Sequence, residues 1–231
     1  MGARAKSTAN FISSPPPTET SKVRWGNLRR TRPFSTHYGF DRGTPVDRYY
    51  VCKFMERYRE HITGDVLEIQ MTGYTKLFGH NVRRAESVDI DPQHDTTYVC
   101  DISHPEGILA SNAYDCFLMP NTLNHLRDLE PSLMGALRVV KPRGTILATA
   151  ATLVPTTPDF LDYWRQTPMG WKEVAARVWP DCVVEVHAYG NVLSAVAAMM
   201  GLAHEELTAE ELDFHDPRYP VLVGLFCRKP M

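Results

Sequence analysis

Nowhere among the 231 residues is there a run approaching the ~20 consecutive apolar residues that a membrane-spanning helix needs. The opening MGARAKSTANFISSPPPTETSK has no apolar core of secretory type, and Arg29-Arg30 leads into TRPFSTHYG, too polar for a twin-arginine signal. Cysteine is scarce and scattered. Cys52, Cys100, Cys116, Cys182 and Cys227 form no CxxC pair, which speaks against a metal cluster or disulfide framework and for a reducing cytoplasm. No internal repeat is present. Charge is nearly balanced, at −2, but unevenly placed: residues 1–32 hold seven Lys/Arg and one Glu, leaving −8 for the rest. The short, proline-interrupted arm reads as a solvated, disordered leader over residues 1–24. An acidic body lacks the basic face that a nucleic-acid enzyme uses against phosphates.

What the chain does contain is alternation. Pro45 followed by VDRYYVCKFMERYREHI reads as a helix start, with Tyr49, Phe54 and Tyr58 at helical spacing. After Gly64, DVLEIQ, AESVDI, TYVCDI, YDCFLMP, TILATAA, CVVEVHAY and VLVGLFCRK read as seven principal strand segments once the Lys141-Pro-Arg-Gly144 turn is set before the fifth. YTKLFGHN, LEPSLMGALRVV, GWKEVAARVW and NVLSAVAAMMGLA between them read as helices, the last either buried or part of a dimer contact because ten residues pass without a charge, with burial the preferred reading. Such alternation predicts an α/β, Rossmann-like doubly wound sheet over residues 64–231, with an N-terminal helical cap over 25–63.

In a doubly wound sheet ligands bind beyond the carboxyl ends of the strands. Glu68 lies at the first of these ends. Asp89 closes the second strand, 21 residues later, at the distance expected of an acid that accepts ribose hydroxyls. Asp101 closes the third strand, and Pro120-Asn121-Thr122-Leu123-Asn124-His125 follows the fourth. A strand-end Asp is commonly a cap or turn former. Three acids at consecutive strand ends point instead to an adenosine-containing ligand.

Glu68, Asp89, Asp101, YDCFLMPNTLNHL and LRVVKPRGTILAT together resemble a class I S-adenosylmethionine-dependent methyltransferase, with Arg143 in place of a glycine of that family's KPGG turn. GFDRGTPVDRYY, YTKLFG, DYWRQT and YGNVLSA…GLAHEEL resemble, more narrowly, a bacterial subgroup of small methyltransferase-like proteins found with sugar-processing and natural-product pathways. The likeness spans residues 25–230. It implies S-adenosyl-L-methionine as cofactor, with Glu68, Gln70 and Gly73 at its methionine end and Asp89 at the ribose. Asp101 and Ile102 would meet the adenine, and Met119 to Thr122, including Pro120 and Asn121, would lie beneath the sulfonium. Residues 40–50 would lie over the pocket. Gln70 is the departure, since the family places glycine there so that backbone can approach the cofactor. Gly73 is expected to supply the turn one step later.

The expected reaction is methyl transfer to a small-molecule acceptor. No NPPY-type motif follows the fourth strand, which leaves oxygen as the favoured acceptor atom. His125, His37 and Asp41 are the candidate proton acceptors. Tyr38, Phe40, Tyr49, Tyr50, Tyr163 and Trp164 are candidate pocket walls. No metal, nucleic acid or membrane is expected as a partner, and the chain is read as a monomer or homodimer. Two alternatives stay open: a protein of the same fold catalysing a non-methylating cyclisation or rearrangement, and one that only binds ligand.

Overall fold

The computed structural model describes residues 23–156 and 161–231; most of the expected leader therefore lies outside the described residues. The described residues fall into two units, divided after Arg32. In the first, a 3-10 turn spans Gly26–Leu28, closed by the Leu28 amide donating to the Trp25 carbonyl.

The second unit is built on seven strands: β1 (Gly64–Ile69), β2 (Val82–Asp89), β3 (Tyr98–Val99), β4 (Tyr114–Met119), β5 (Val140–Ala151), β6 (Val183–Tyr189) and β7 (Leu222–Arg228). Their order is β3-β2-β1-β4-β5-β7-β6. β7 alone runs antiparallel to its neighbours, β5 and β6, a placement that no hydrophobic pattern encodes. The reversal of order between β1 and β4 creates a switch point at their carboxyl ends.

Central strands are apolar on both faces because helices cover both. On one face α3 (Leu129–Val139) and α4 (Pro168–Val178) bury Leu133, Ala136 and Trp171 against Phe117, Ile146 and Leu225. On the other, α1 (Val46–Arg57) buries Val51, Phe54 and Met55 against Leu118, Leu147 and Phe226. Gly224 on β7 admits the Phe54 ring, which a Cβ would meet at 2.4 Å. The segment expected as a cap thus contributes α1 to the sheet's own core. Short helices α2 (Gly73–Phe78), α5 (Val192–Met199) and α6 (Ala209–Asp213) complete the unit. Among the described residues no helix is long and apolar enough to cross a membrane.

Three expectations about elements need correction. TYVCDI pairs as a strand only at Tyr98–Val99: the Cys100 amide makes the last bond to β2, at the Asp89 carbonyl, before the chain turns away. The Lys141–Gly144 turn lies inside β5 as a bulge: pairing with β4 jumps from Tyr114–Val140 to Cys116–Thr145. Helix α5 is only half buried. Ser194, Ala195, Ala197 and Ala198 face inward, while Val192, Leu193, Val196 and Met199 are exposed. Small residues take the inner face because they let the helix approach α1 closely.

Opposite the switch point, at the amino ends of the strands, Lys141 Nζ donates to both Asp65 Oδ2 and Asp115 Oδ2 at 2.8 Å. Arg83 donates to the same two oxygens at 2.9 Å. These bonds, Arg83 first and Lys141 next, hold the Asp65 carboxyl down to about 2. This cluster ties β1, β2, β4 and β5 together.

Candidate active site

Gln70 decides the shape of the loop after β1. Its φ is +68°, a left-handed backbone that non-glycine residues seldom adopt. The Met71 amide donates to the Ile69 carbonyl at 2.8 Å, so Gln70 is the centre of a three-residue turn, a rare and strained form when φ is positive. Gln70 itself takes the conformation a glycine would have taken. Gly73 does not supply the turn: it begins α2 with ordinary dihedrals, and a Cβ there would meet only Met71 at 3.8 Å. The expectation failed because the Gln70 amide, donating to the Val88 carbonyl, fixes the turn before Gly73 is reached.

Glu68 is fully buried. One carboxylate oxygen accepts the Tyr74 amide at 2.9 Å; the other accepts the Thr75 amide and hydroxyl at 2.8 and 2.7 Å. Burial pushes this carboxyl up, and the three bonds pull it back. Its side chain anchors the start of α2 and thereby the loop; with no exposed surface, it reaches a ligand only through what it holds.

Asp89 stands at the carboxyl end of β2 with its side chain 13% exposed. Its Oδ1 accepts the Asp91 amide at 2.8 Å. Asp101 is exposed and accepts the Ser103 amide and hydroxyl on Oδ1. The Ile102 side chain is buried in the core, leaving its backbone at this position.

Beyond β4 the chain turns through Asn121, whose φ is +47°. The Asn121 amide donates to Thr149 Oγ1 at 2.7 Å, and its side-chain NH2 donates to Asp47 in the first turn of α1. Asp47 is thereby joined to the loop at the switch point. Asn124, also buried, donates to the carbonyls of Ala151 and Trp164 and accepts the Ala151 amide. Its carbonyl takes the Tyr163 amide, and Trp164 Nε1 donates to the Leu126 carbonyl. Through these bonds DYWRQT folds over the loop after β4. His125 Nδ1 donates to the Leu161 carbonyl at 2.6 Å, since a carbonyl only accepts.

The other candidate bases form a separate group. The Ser35 hydroxyl donates to Asp41 and accepts the His37 and Gly39 amides, and that hydroxyl holds the Asp41 carboxyl below its ordinary range. This segment is pinned to the chain after α5: Phe34 donates to the Met200 carbonyl, and Arg42 pairs with Glu206. The aromatic set is split likewise. Tyr163 and Trp164 lie at the β4 loop, whereas Tyr49 and Tyr50 donate to Asp213 and the Leu212 carbonyl near α6. A cleft of about 420 Å³ between α1, β6 and α6, lined by Lys53, Arg57 and His187, includes none of the acids at the strand ends. Among the described residues no group of His, Cys, Asp or Glu is arranged to hold a metal ion.

No family model matches the chain, and no curated protein matches it. Solved structures do. A SAM-dependent methyltransferase from Archaeoglobus fulgidus superposes with a TM-score of 0.53 at 16% identity, covering 84% of this chain and 100% of its own. An S-adenosylmethionine-dependent methyltransferase from Mesorhizobium loti gives 0.51 at 12% identity, over 76% of this chain and 98% of its own. The fold is that of the S-adenosylmethionine-dependent methyltransferases. Phosphoethanolamine N-methyltransferase 2 of Haemonchus contortus, in complex with S-adenosyl-L-methionine, gives 0.54 at 15% identity over 90% of this chain; the chain spans 55% of that protein.

Sequence reasoning missed Asp47 as a partner of Asn121, and it missed His94. The only signal for Asp47 was a carboxylate at a helix start. His94 stands in the polar DPQHD turn, where nothing marks one residue above another.

Proposed function

We propose that the protein transfers a methyl group from S-adenosylmethionine to a small, natural-product or sugar-derived acceptor, at an oxygen atom. The observation that carries the reading is the convergence at one switch point of the left-handed Gln70 turn, the partly exposed Asp89 and the Asn121 loop. The residues fit the cofactor: the turn brings backbone to the surface without a glycine, and Asp89 presents a carboxylate to a diol. Gln70 would hold the methionine end, Asp89 the ribose, Asp101 and the Ile102 backbone the adenine, with Pro120 and Asn121 as the floor. S-adenosylmethionine supplies, when bound, a sulfonium methyl open to in-line displacement.

The chain's own work is positioning and proton removal. Alignment of a nucleophile at about 3 Å supplies up to roughly 7–11 kcal/mol. His125, oriented by its Nδ1 bond to the Leu161 carbonyl, is the candidate acceptor of the hydroxyl proton. Calorimetry with S-adenosylmethionine and S-adenosylhomocysteine tests the reading: binding is expected, with loss of affinity in Asp89→Ala. No binding of either at millimolar concentration overturns it. With an acceptor in hand, His125→Ala should lower the rate about 10²–10⁴-fold.

A further inference from the structure

His94 stands between two residues that the sequence singled out for different reasons. Its Nε2 lies 3.1 Å from Gln70 Nε2. A glutamine amide nitrogen only donates, so the imidazole Nε2 accepts and the ring proton falls on Nδ1. Nδ1 is 3.2 Å from Asp89 Oδ2. That atom is buried, and its approach to the carboxylate is too poorly aligned to count as a hydrogen bond. The backbone holds the ring there: the His94 amide donates to the Asp91 carbonyl at 3.2 Å, and its carbonyl accepts the Thr96 amide at 2.9 Å.

Asp89 therefore has Oδ1 bonded by the Asp91 amide, while the His94 ring stands against Oδ2 at 3.2 Å without bonding it. A ribose diol binds a carboxylate through two hydroxyls, and it reaches Oδ2 only in competition with the imidazole. The contact it must break is a misaligned one, which makes displacement inexpensive. The same movement takes His94 away from the Gln70 amide.

We propose that His94 sets ligand access to this site: its imidazole competes with a vicinal diol for Asp89 and, on giving way, releases the Gln70 amide towards the ligand. Gln70 and His94 thus act as a pair, which gives a side chain at the glycine position a use that a glycine could not have. The proposal rests on the assignment of Asp89 to the ribose.

Calorimetry on the full chain, wild type and His94→Ala, with three probes tests it: S-adenosylhomocysteine, adenosine, and 2′,3′-isopropylidene-adenosine, whose diol is blocked. The His94 side chain is 40% exposed, so the variant is expected to keep its unfolding temperature. Loss of one such polar contact should tighten S-adenosylhomocysteine and adenosine by about two- to tenfold. The blocked adenosine should show no gain. Equal or weaker binding of S-adenosylhomocysteine by a folded His94→Ala overturns the competition while leaving the cofactor reading intact. A gain of the same size for the blocked adenosine also overturns it, since the diol is then not the competing group. Failure of all three probes to bind either protein at millimolar concentration overturns the cofactor reading and this proposal with it.

Discussion

Asn121, immediately beyond β4, donates its side-chain amide to Asp47 in the first turn of α1. The bond joins the floor of the candidate site to a helix that precedes the whole sheet in sequence. Asp47 is 8% exposed, so both partners lose water when they meet.

Asn121→Ala should destabilise the fold by about 1–3 kcal/mol, the cost of stranding the buried Asp47 carboxylate, and Asp47→Ala by less, because half-buried Asn121 keeps its bonds to Thr149. The double variant should cost less than the two added together, because the shared bond is lost only once. Denaturant unfolding of the four proteins measures the coupling; strict additivity would show that the bond contributes nothing.

Gln70 and Arg143 stand where the resembled family has glycine, and both keep a glycine-like backbone, with φ of +68° and +66°. Arg143 is exposed. Relief of left-handed strain, about 1–2 kcal/mol, exceeds the ~0.5–1 kcal/mol of chain entropy that glycine adds. Arg143→Gly should therefore raise the unfolding temperature by about 1–4 °C. A fall would show that the arginine side chain outweighs its backbone. Gln70→Gly should gain less, because it also gives up the contact with His94.

Glu68→Gln keeps size but replaces an acceptor oxygen with a donor. One of the three bonds from Tyr74 and Thr75 then faces another N–H. Destabilisation of about 1–3 kcal/mol is expected, together with weaker binding of S-adenosylhomocysteine, since the loop loses its anchor. Unchanged stability by thermal unfolding would contradict the anchoring role.

The Asp65 carboxyl is held at about 2, below its ordinary 3.8. Folding thus favours its ionised form, so this stabilisation is complete above pH ~4 and disappears as pH falls towards 2. Asp65→Asn should destabilise the protein at pH 7 by on the order of 1 kcal/mol, allowing for the exposed Arg83 partner. Its difference from wild type should shrink across that acid window. A difference that stays constant from pH 7 to 2 would refute the ion-pair account.

Much of the sheet was readable because burial on both faces leaves apolar runs such as DVLEI and VLVGLFC, and polar helix faces separate them. Strand-end acids were readable for a related reason: parallel strands all point their carboxyl ends to one edge, so Asp89 and Asp101 fall together by topology. The helix NVLSAVAAMM was misread because absence of charge does not say which face is inward. Alanine and serine took the inner face by size, not by polarity.

The sequence by itself determined the α/β alternation, the acids at the strand ends and the anomaly at Gln70, all of which are local or periodic properties. Tertiary structure decided the antiparallel β7, the union of Asp47 with Asn121, the folding of Tyr163 and Trp164 over the β4 loop, and the meeting of Gln70, His94 and Asp89. Each of these joins residues far apart along the chain or side chains from different loops. Their partners are set by how helices and loops close around the sheet, and no spacing along the chain records that geometry.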